Sequence, residues 1–299
     1  MHVGEIDIGP SLVARLVAAQ FPQWADLGVE AVRSAGTDHA MYRLGRQMVV
    51  RLPRIRLAAL QVEKEHRWLP RLAPLLPLPI PIPLGAGKPA DAYPWSWSIY
   101  PWIDGHDAAV EPVADLRRAA SDLGHFVAAL HHADPTGGPS PGEHNSFRGV
   151  PLAARDAEVH TAIASLRGIL DTAAVTAAWD AALQTSPWPG PPVWIHGDLL
   201  PANLLIRNHR LHAVIDFGGL GVGDPACDAM AAWTFLSADT RPAFRAAAGF
   251  DDATWTRGRG WALSFGLIAL PYYRSSNPHL ARIARRAIDE TLTDHHQTA

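Results

Sequence analysis

The sequence predicts an α+β protein in two parts: a small antiparallel sheet to about residue 101, then a mainly helical part over residues 102–299. Three observations carry this expectation. Between Val29 and Leu52, short strand-like runs alternate with turns rich in glycine and polar residues. After Val113, apolar residues recur at helical intervals in segment after segment. Within that second part, two short apolar runs flank a loop that presents Asp198 and Asn203, and the return strand ends on Asp216.

At 299 residues the chain can bury a sizeable core as one large domain or two lobes. Hydrophobic residues make up 48% and charged residues 18%, a globular balance. A formal net charge of -3 without a basic run gives no electrostatic footprint for nucleic acid. Cys227 is the single cysteine, so no intrachain disulfide can form. Met1 to Pro10 lacks a basic segment followed by an apolar one, and no apolar run approaches the roughly 20 residues of a membrane span. The expectation is a cytoplasmic protein with no membrane and no nucleic-acid partner.

Leu12, Leu16 and Ala19 place a leading helix over Ser11 to Phe21, with Ser11 as N-cap. Glu30 to Ser34, Ala40 to Leu44 and Met48 to Leu52 read as strands, joined by turns at Ala35–His39 and Gly45–Gln47. Ala58 to Leu72 reads as a helix. The run from Pro74 to Pro83 reads either as an extended proline-rich ligand or, from its aliphatic content, as a stiff buried connector. Trp95 to Ile103 looks like the last strand of the first part, with Asp104-Gly105 turning out of it.

The second part opens on a core helix over Val113 to Ala133; His131 and His132 at its end suit the helix dipole. Asp134 to Arg148 is a loop rich in Pro, Gly and Ser. Helices follow at about Leu152–Gly168 and Thr172–Thr185, and beyond Asp228 at Ala229–Leu236, Asp239–Phe250, Ala253–Tyr273 and Arg282–Thr293, leaving a frayed tail over Asp294–Ala299.

The chemistry sits between the helices. Val193 to Ile195 leads into His196-Gly197-Asp198-Leu199-Leu200-Pro201-Ala202-Asn203, Leu204 to Ile206 is the next strand, and Leu211 to Phe217 returns to Asp216-Phe217-Gly218. Two carboxylates and one amide thus converge. Magnesium-dependent phosphoryl transfer needs that set: Asp198 to orient and deprotonate an acceptor hydroxyl, Asn203 and Asp216 to hold the metal. His196 follows an apolar run and reads as a brace for the loop.

This spacing resembles the H-x-D-x-x-x-x-N loop and D-F-G element of the protein-kinase superfamily. With Gly197 where protein kinases carry arginine, and with Gly223-Asp224-Pro225-Ala226-Cys227-Asp228 matching a G-D-P-x-x-D element, it looks like the aminoglycoside phosphotransferase branch of small-molecule kinases. The resemblance implies a bilobal protein-kinase-like fold: a nucleotide-binding lobe over 1–101, a hinge at about 100–104, and a catalytic and acceptor-binding lobe over 102–299. It also implies ATP or GTP as co-substrate with Mg2+, and a small-molecule hydroxyl as acceptor.

By the resemblance, Arg51 stands where the superfamily has lysine and would meet the α- and β-phosphates; an arginine can do so bidentately. Glu65 would be its acidic partner, with Glu63 as competitor. The turn containing Ser34 and Thr37 would lie over the phosphates, although it lacks G-x-G-x-x-G. The Pro101 carbonyl and Ile103 amide would read the base, and Tyr100 would limit the depth of its pocket; proline keeps its carbonyl, so an acceptor-only role suits Pro101. Asp224 and Asp228 read as structural, the second capping the helix that follows.

For the acceptor, the resemblance puts aminoglycoside-type molecules first. A polycation would want acids, for which Glu143, Asp156, Glu158, Asp239, Asp251, Asp252 and Glu290 are candidates. The aromatic residues Trp233, Phe235, Trp255, Trp261, Phe265, Tyr272 and Tyr273 could instead serve a macrolide or another hydroxylated metabolite. A nucleotide-binding protein without transfer activity is the remaining alternative, and a protein kinase is disfavoured by Gly197 and the missing glycine-rich loop.

Overall fold

The structure, a computed structural model, describes residues 8–32, 38–90 and 93–298. The chain divides into two compact units, Met1–Leu75 with Pro79–Asp104, and Leu76–Leu78 with Gly105–Ala299.

In the first unit, β1 (Val29–Ala31), β2 (His39–Leu44), β3 (Met48–Pro53), β4 (Gly85–Gly87) and β5 (Trp97–Pro101) form one antiparallel sheet in the order β1-β2-β3-β5-β4. Strand β2 alternates strictly, burying Ala40, Tyr42 and Leu44, as a sheet with one covered face requires. These residues join Leu52, Trp97, Ile99 and the apolar stripe of helix α1 (Pro10–Gln20) in one core. The larger aliphatic side chains among them, such as Leu44, Leu52 and Ile99, each contribute roughly 1.5–3 kcal/mol of burial free energy. Helix α2 (Arg56–Leu72) packs against β3 and β5.

Three expectations change here. Helix α1 starts at Pro10 with Gly9 as N-cap, so Ser11 does not cap it; proline has no amide hydrogen to satisfy and its fixed φ suits the first helical position. Strand β1 covers Val29–Ala31, and the expected remainder of that strand runs into residues 33–37, outside the described residues. The proline-rich run is a connector without regular structure after a 3-10 turn at Ala73–Leu75, but of its residues only Ile80 is buried.

In the second unit, β6 (His106–Asp107), β8 (Leu204–Arg207) and β9 (Arg210–Val214) form one small sheet, and β7 (Val193–Ile195) pairs with β10 (Gly221–Gly223) in another. Asn208 and His209 join β8 to β9 with φ of 52° and 58°, the left-handed pair a tight hairpin favours. The helices are α3 (Leu116–His132), α4 (Asp156–Ser165), α5 (Thr172–Leu183), α6 (Ala231–Thr234), α7 (Arg241–Ala248), α8 (Asp252–Tyr273) and α9 (Pro278–Thr298). Helix α3 packs along α7, and α8 along α9. The α8–α9 approach is close: a Cβ on Gly266 would lie 2.7 Å from the Ala284 carbonyl oxygen. Trp179, Trp194, Trp233 and Trp261 are fully buried.

The expected helix over Leu152–Gly168 is a 3-10 turn (Leu152–Arg155) followed by α4. The tail is not frayed at Asp294, because α9 continues to Thr298 while Asp294 pairs with Arg241 (3.6 Å) and Arg259 (3.0 Å). Among the described residues, no helix is long and apolar enough to cross a membrane.

Candidate active site

The sequence-predicted residues fall into two groups, one in each unit. In the first unit, antiparallel register sets Arg51 of β3 opposite Ser98 of β5. Tyr100, two residues further along β5, shares that face because side chains alternate. Helix α2 lays Glu65 against them. Arg51 Nη1 donates to Glu65 Oε1 at 2.7 Å and to Oε2 at 3.0 Å, and Tyr100 Oη donates to Oε2. Glu65 is 2% exposed, whereas Glu63 faces solvent, so Glu65 is the acid that Arg51 meets.

Burial, with the Glu65 charge adding to it, holds the Tyr100 phenol well above its ordinary range, so it stays a donor. Beside it, His66 Nε2 lies 2.9 Å from Ser98 Oγ, and burial lowers the imidazole pKa against a smaller opposing pull from Glu65. Pro101 ends β5, and Ile103 follows in the segment that leaves it. Ser34 and Thr37 lie outside the described residues.

In the second unit, strand β7 delivers the loop 196–203 and the β8–β9 hairpin closes it. His196 is fully buried beneath Phe217, ring centroids 4.5 Å apart. Its Nδ1 accepts from the Asp198 amide (3.2 Å), so Nε2 carries the proton and donates to the Ile215 carbonyl (3.1 Å). The histidine is thus a brace between the loop and the strand leading to Asp216.

Asn203 finishes the loop. Its Nδ2 donates to the Asp198 backbone oxygen (2.9 Å) and to Asp198 Oδ2 (3.0 Å), while its backbone carbonyl accepts from the Ile215 amide (2.9 Å). Asp216 follows Ile215 with φ 61° and ψ 74°, a left-handed conformation uncommon for a residue with a Cβ and characteristic of strained functional turns.

Gly197 has φ +77°, and a Cβ there would stand 2.6 Å from the Gly219 carbonyl oxygen and 3.0 Å from Arg148 Cβ. Both backbone and space therefore demand glycine at this position.

Three contributors escape a reading of the sequence. Asp228 is fully buried and accepts from the amides of His196 (3.0 Å) and Gly197 (2.7 Å) while lying 3.1 Å from His131 Nε2. This corrects two expectations: Asp228 anchors the loop instead of capping a helix, and His131 meets that carboxylate instead of only ending α3. The cap is Asp224, which accepts from the Ala226 amide (2.9 Å) and pairs with buried Arg257 at 2.8 Å. Arg148 Nη2 reaches to 3.7 Å from Asp198 Oδ1, and Asn145, whose Nδ2 donates to the Arg148 carbonyl, fixes the loop that carries it.

The outcome for Asp198 is a carboxyl raised above its ordinary pKa. Desolvation by its surroundings is the main cause, Arg148 opposes it, and Asp216 adds to it. A raised carboxyl is the stronger base, and 28% of its side chain is exposed, so a hydroxyl can reach it.

Asn203 has committed its amide nitrogen to Asp198, which leaves its amide oxygen as a hard donor, and the Asp216 carboxylate, whose charge is felt at Asp198, is a second oxygen donor of the same kind. Among the described residues no group of three or more His, Cys, Asp or Glu gathers to hold a metal ion. That donor set suits Mg2+, which takes few protein oxygens and fills its shell with phosphates and water.

The seven candidate acids for a polycation are dispersed. Asp251 caps α8, Glu158 pairs with Arg155, Asp252 with Arg245 and Glu290 with Arg241; Asp156 accepts from Trp179, and Asp239 is hydrogen-bonded to Ser237. Glu143 lies in a short 3-10 turn.

Comparison with known proteins places the fold and the family. No curated protein sequence matches the chain. Solved structures do match, at identities that speak to fold alone. The GDP complex of wild-type aminoglycoside 2'-phosphotransferase-IIIa is 19% identical, with TM-score 0.68 over 96% of this chain and 100% of that one. Macrolide 2'-phosphotransferase MphH from Brachybacterium faecium is 22% identical, with TM-score 0.59 over 93% and 97%. A ternary complex of APH(2")-IIa with streptomycin and ATP is 16% identical, with TM-score 0.59 over 95% and 97%. The model of the phosphotransferase enzyme family matches residues 30–261. The chain therefore belongs to the phosphotransferase enzyme family, as a small-molecule kinase of protein-kinase-like fold.

Proposed function

We propose that this protein transfers the γ-phosphoryl group of ATP or GTP to a hydroxyl of a small molecule, with Asp198 as the base. The observation that carries this reading is the arrangement around Asp198: its amide, backbone carbonyl and carboxylate are all held within the loop, yet the carboxyl stays partly open and raised in pKa. Asp198 takes the proton of the acceptor hydroxyl as that oxygen bonds to the γ-phosphorus. The bond to the bridging oxygen breaks, and its electron pair leaves with the nucleoside diphosphate. Such a base contributes roughly 10²–10⁴-fold.

Asn203 and Asp216 would hold Mg2+, whose bound charge offsets that developing on the phosphates. In the first unit, Arg51 would meet the α- and β-phosphates while Glu65 fixes its guanidinium plane. Pro101 and Ile103 would meet the base, Tyr100 would bound its pocket, and Ser34 and Thr37 would approach the phosphates. The nucleotide-binding part would be residues 1–101, and the catalytic and acceptor-binding part 102–299.

Aminoglycoside-type acceptors stand first by resemblance, which would make the protein an antibiotic-modifying enzyme of the cytoplasm. A second reading, a different hydroxylated metabolite, is favoured by the dispersal of the candidate acids into caps and ion pairs. The test is nucleoside diphosphate release with Mg2+ against aminoglycosides, macrolides and small hydroxylated metabolites, with Asp198→Ala as blank. Acceptor-dependent release that disappears in the variant is expected. Equal release by both proteins would overturn Asp198 as the base, and nucleotide binding without transfer to any acceptor would favour the non-catalytic alternative.

A further inference from the structure

The second unit contains a cavity of about 320 Å³, within the size range of small-molecule sites. One wall is apolar and includes Leu116 and Phe235; Pro201 adds the catalytic loop, three residues on from Asp198 and therefore at most about 11 Å from it along the chain. The other wall is the first three turns of α9, bringing His279, Arg282 and Arg286. No aspartate or glutamate is among the described residues that line it.

The polar side chains of α9 in this wall are set up as donors. Arg282 Nη2 reaches His279 Nδ1 at 3.5 Å, and since a guanidinium can only donate, Nδ1 accepts and the ring proton sits on Nε2. That Nε2 is shielded from solvent and has no hydrogen-bond partner, a costly state for a buried donor unless a ligand meets it. Arg282 has no carboxylate partner among the described residues. Arg286 is anchored by donating to the carbonyls of Phe235 (3.3 Å) and Leu236 (3.0 Å), with Glu290 4.0 Å away. The N-terminal turn of α9 adds its dipole in the same sense.

A donor-rich, cationic wall facing an apolar one repels a polycation and suits a molecule with one acidic end. We propose that this cavity binds the carboxylate or phosphate group of the acceptor, through Arg282, Arg286 and His279 Nε2, so that the substrate is an acidic hydroxylated small molecule. This deepens the phosphotransferase reading and rests on it.

The test pairs binding with turnover. Calorimetric titration compares D-gluconate and D-glucose 6-phosphate with D-glucose, on wild type, Arg282→Gln and Arg282→Lys. Arg282 is exposed with a single long side-chain contact, so neither change threatens folding. The acidic probes should bind at least about tenfold more tightly than glucose, Arg282→Gln should remove that preference, and Arg282→Lys should restore part of it. Among phosphorylated acceptors, acidic ones should lead, with Arg282→Gln raising acceptor KM about tenfold or more while kcat holds. Equal binding of acid and neutral probes, or indifference to Arg282→Gln, would overturn the proposal. So would turnover confined to aminoglycosides, which would leave the phosphotransferase reading standing. A rise in nucleotide KM with acceptor KM unchanged would reassign the cavity to the nucleotide's phosphates and overturn the acceptor assignment. Acid binding lost in Arg282→Gln, with no acceptor ever phosphorylated, would support the anion site and sink the phosphotransferase reading instead.

Discussion

Glu65 in the first unit and Asp198 in the second are both carboxylates beside an arginine, and the protein treats them in opposite ways. Glu65 is 2% exposed and carries two contacts from one guanidinium nitrogen and one from a phenol. Its lone pairs are engaged, and its work is to hold Arg51 still. Asp198 keeps its arginine at 3.7 Å, beyond hydrogen-bond reach, and receives one amide from Asn203. Its loop is instead secured from behind, through Asp228 and His196. Rigidity thus comes from satisfied side chains in one unit and from satisfied backbone in the other, which leaves the second carboxylate basic.

The largest expected effect falls on that basicity. Asp198→Ala should lower acceptor-dependent turnover by roughly 10²–10⁴-fold with the far-ultraviolet circular dichroism unchanged. A smaller loss would mean that the loop, and not its carboxylate, carries the catalysis.

Next comes the anchor. Asp228→Ala leaves the His196 and Gly197 amides buried without acceptors, at a cost of about 1–3 kcal/mol for each. Urea unfolding should show the loss, and turnover should fall even where the protein remains folded. An unchanged midpoint would show that the loop holds itself.

Arg51→Lys sharpens the contrast from the first unit's side. An ammonium on a flexible stem cannot keep both Glu65 contacts and present a planar fork to phosphate. Nucleotide KM should rise about tenfold while kcat stays within a few-fold. A fall in kcat with KM constant would assign Arg51 to the transferring group.

The smallest effect is on acid stability. Burial lowers the folded pKa of His66 below its ordinary 6.5, so the unfolded chain takes up a proton first as pH falls. Stability from the neutral ring is complete above 6.5 and erodes as pH drops through 6.5 toward the folded value. The urea midpoint should decline between pH 7.5 and 5.5 in wild type, and less so in His66→Gln. Equal declines would place the acid sensitivity elsewhere.

Residues close in sequence were legible, because the chemistry repeats at short spacing. Asp198, Asn203 and Asp216 lie within one strand–loop–hairpin unit, and local strand patterns suffice to bring them together. The bracing role of His196 followed from the apolar run before it, and the choice of Glu65 over Glu63 from the resemblance. The fold class followed from the change of periodicity between the two parts of the chain.

What escaped depends on long-range packing. Arg148 is 50 residues from Asp198, on a stretch whose composition says only loop. Asp228 looks like a helix cap until β7, paired with β10, brings the loop's amides to it. The tail holds its helix because Arg241 and Arg259, from two other helices, meet Asp294. By itself the sequence determined the fold class and the grouping of Asp198, Asn203 and Asp216 on one strand–loop–hairpin unit, whereas the need for glycine at position 197 came from its positive φ and the crowding around it in the folded chain. Tertiary structure decided which charges are spent and which face a cavity, because a side chain's partner depends on neighbours that only the folded chain supplies.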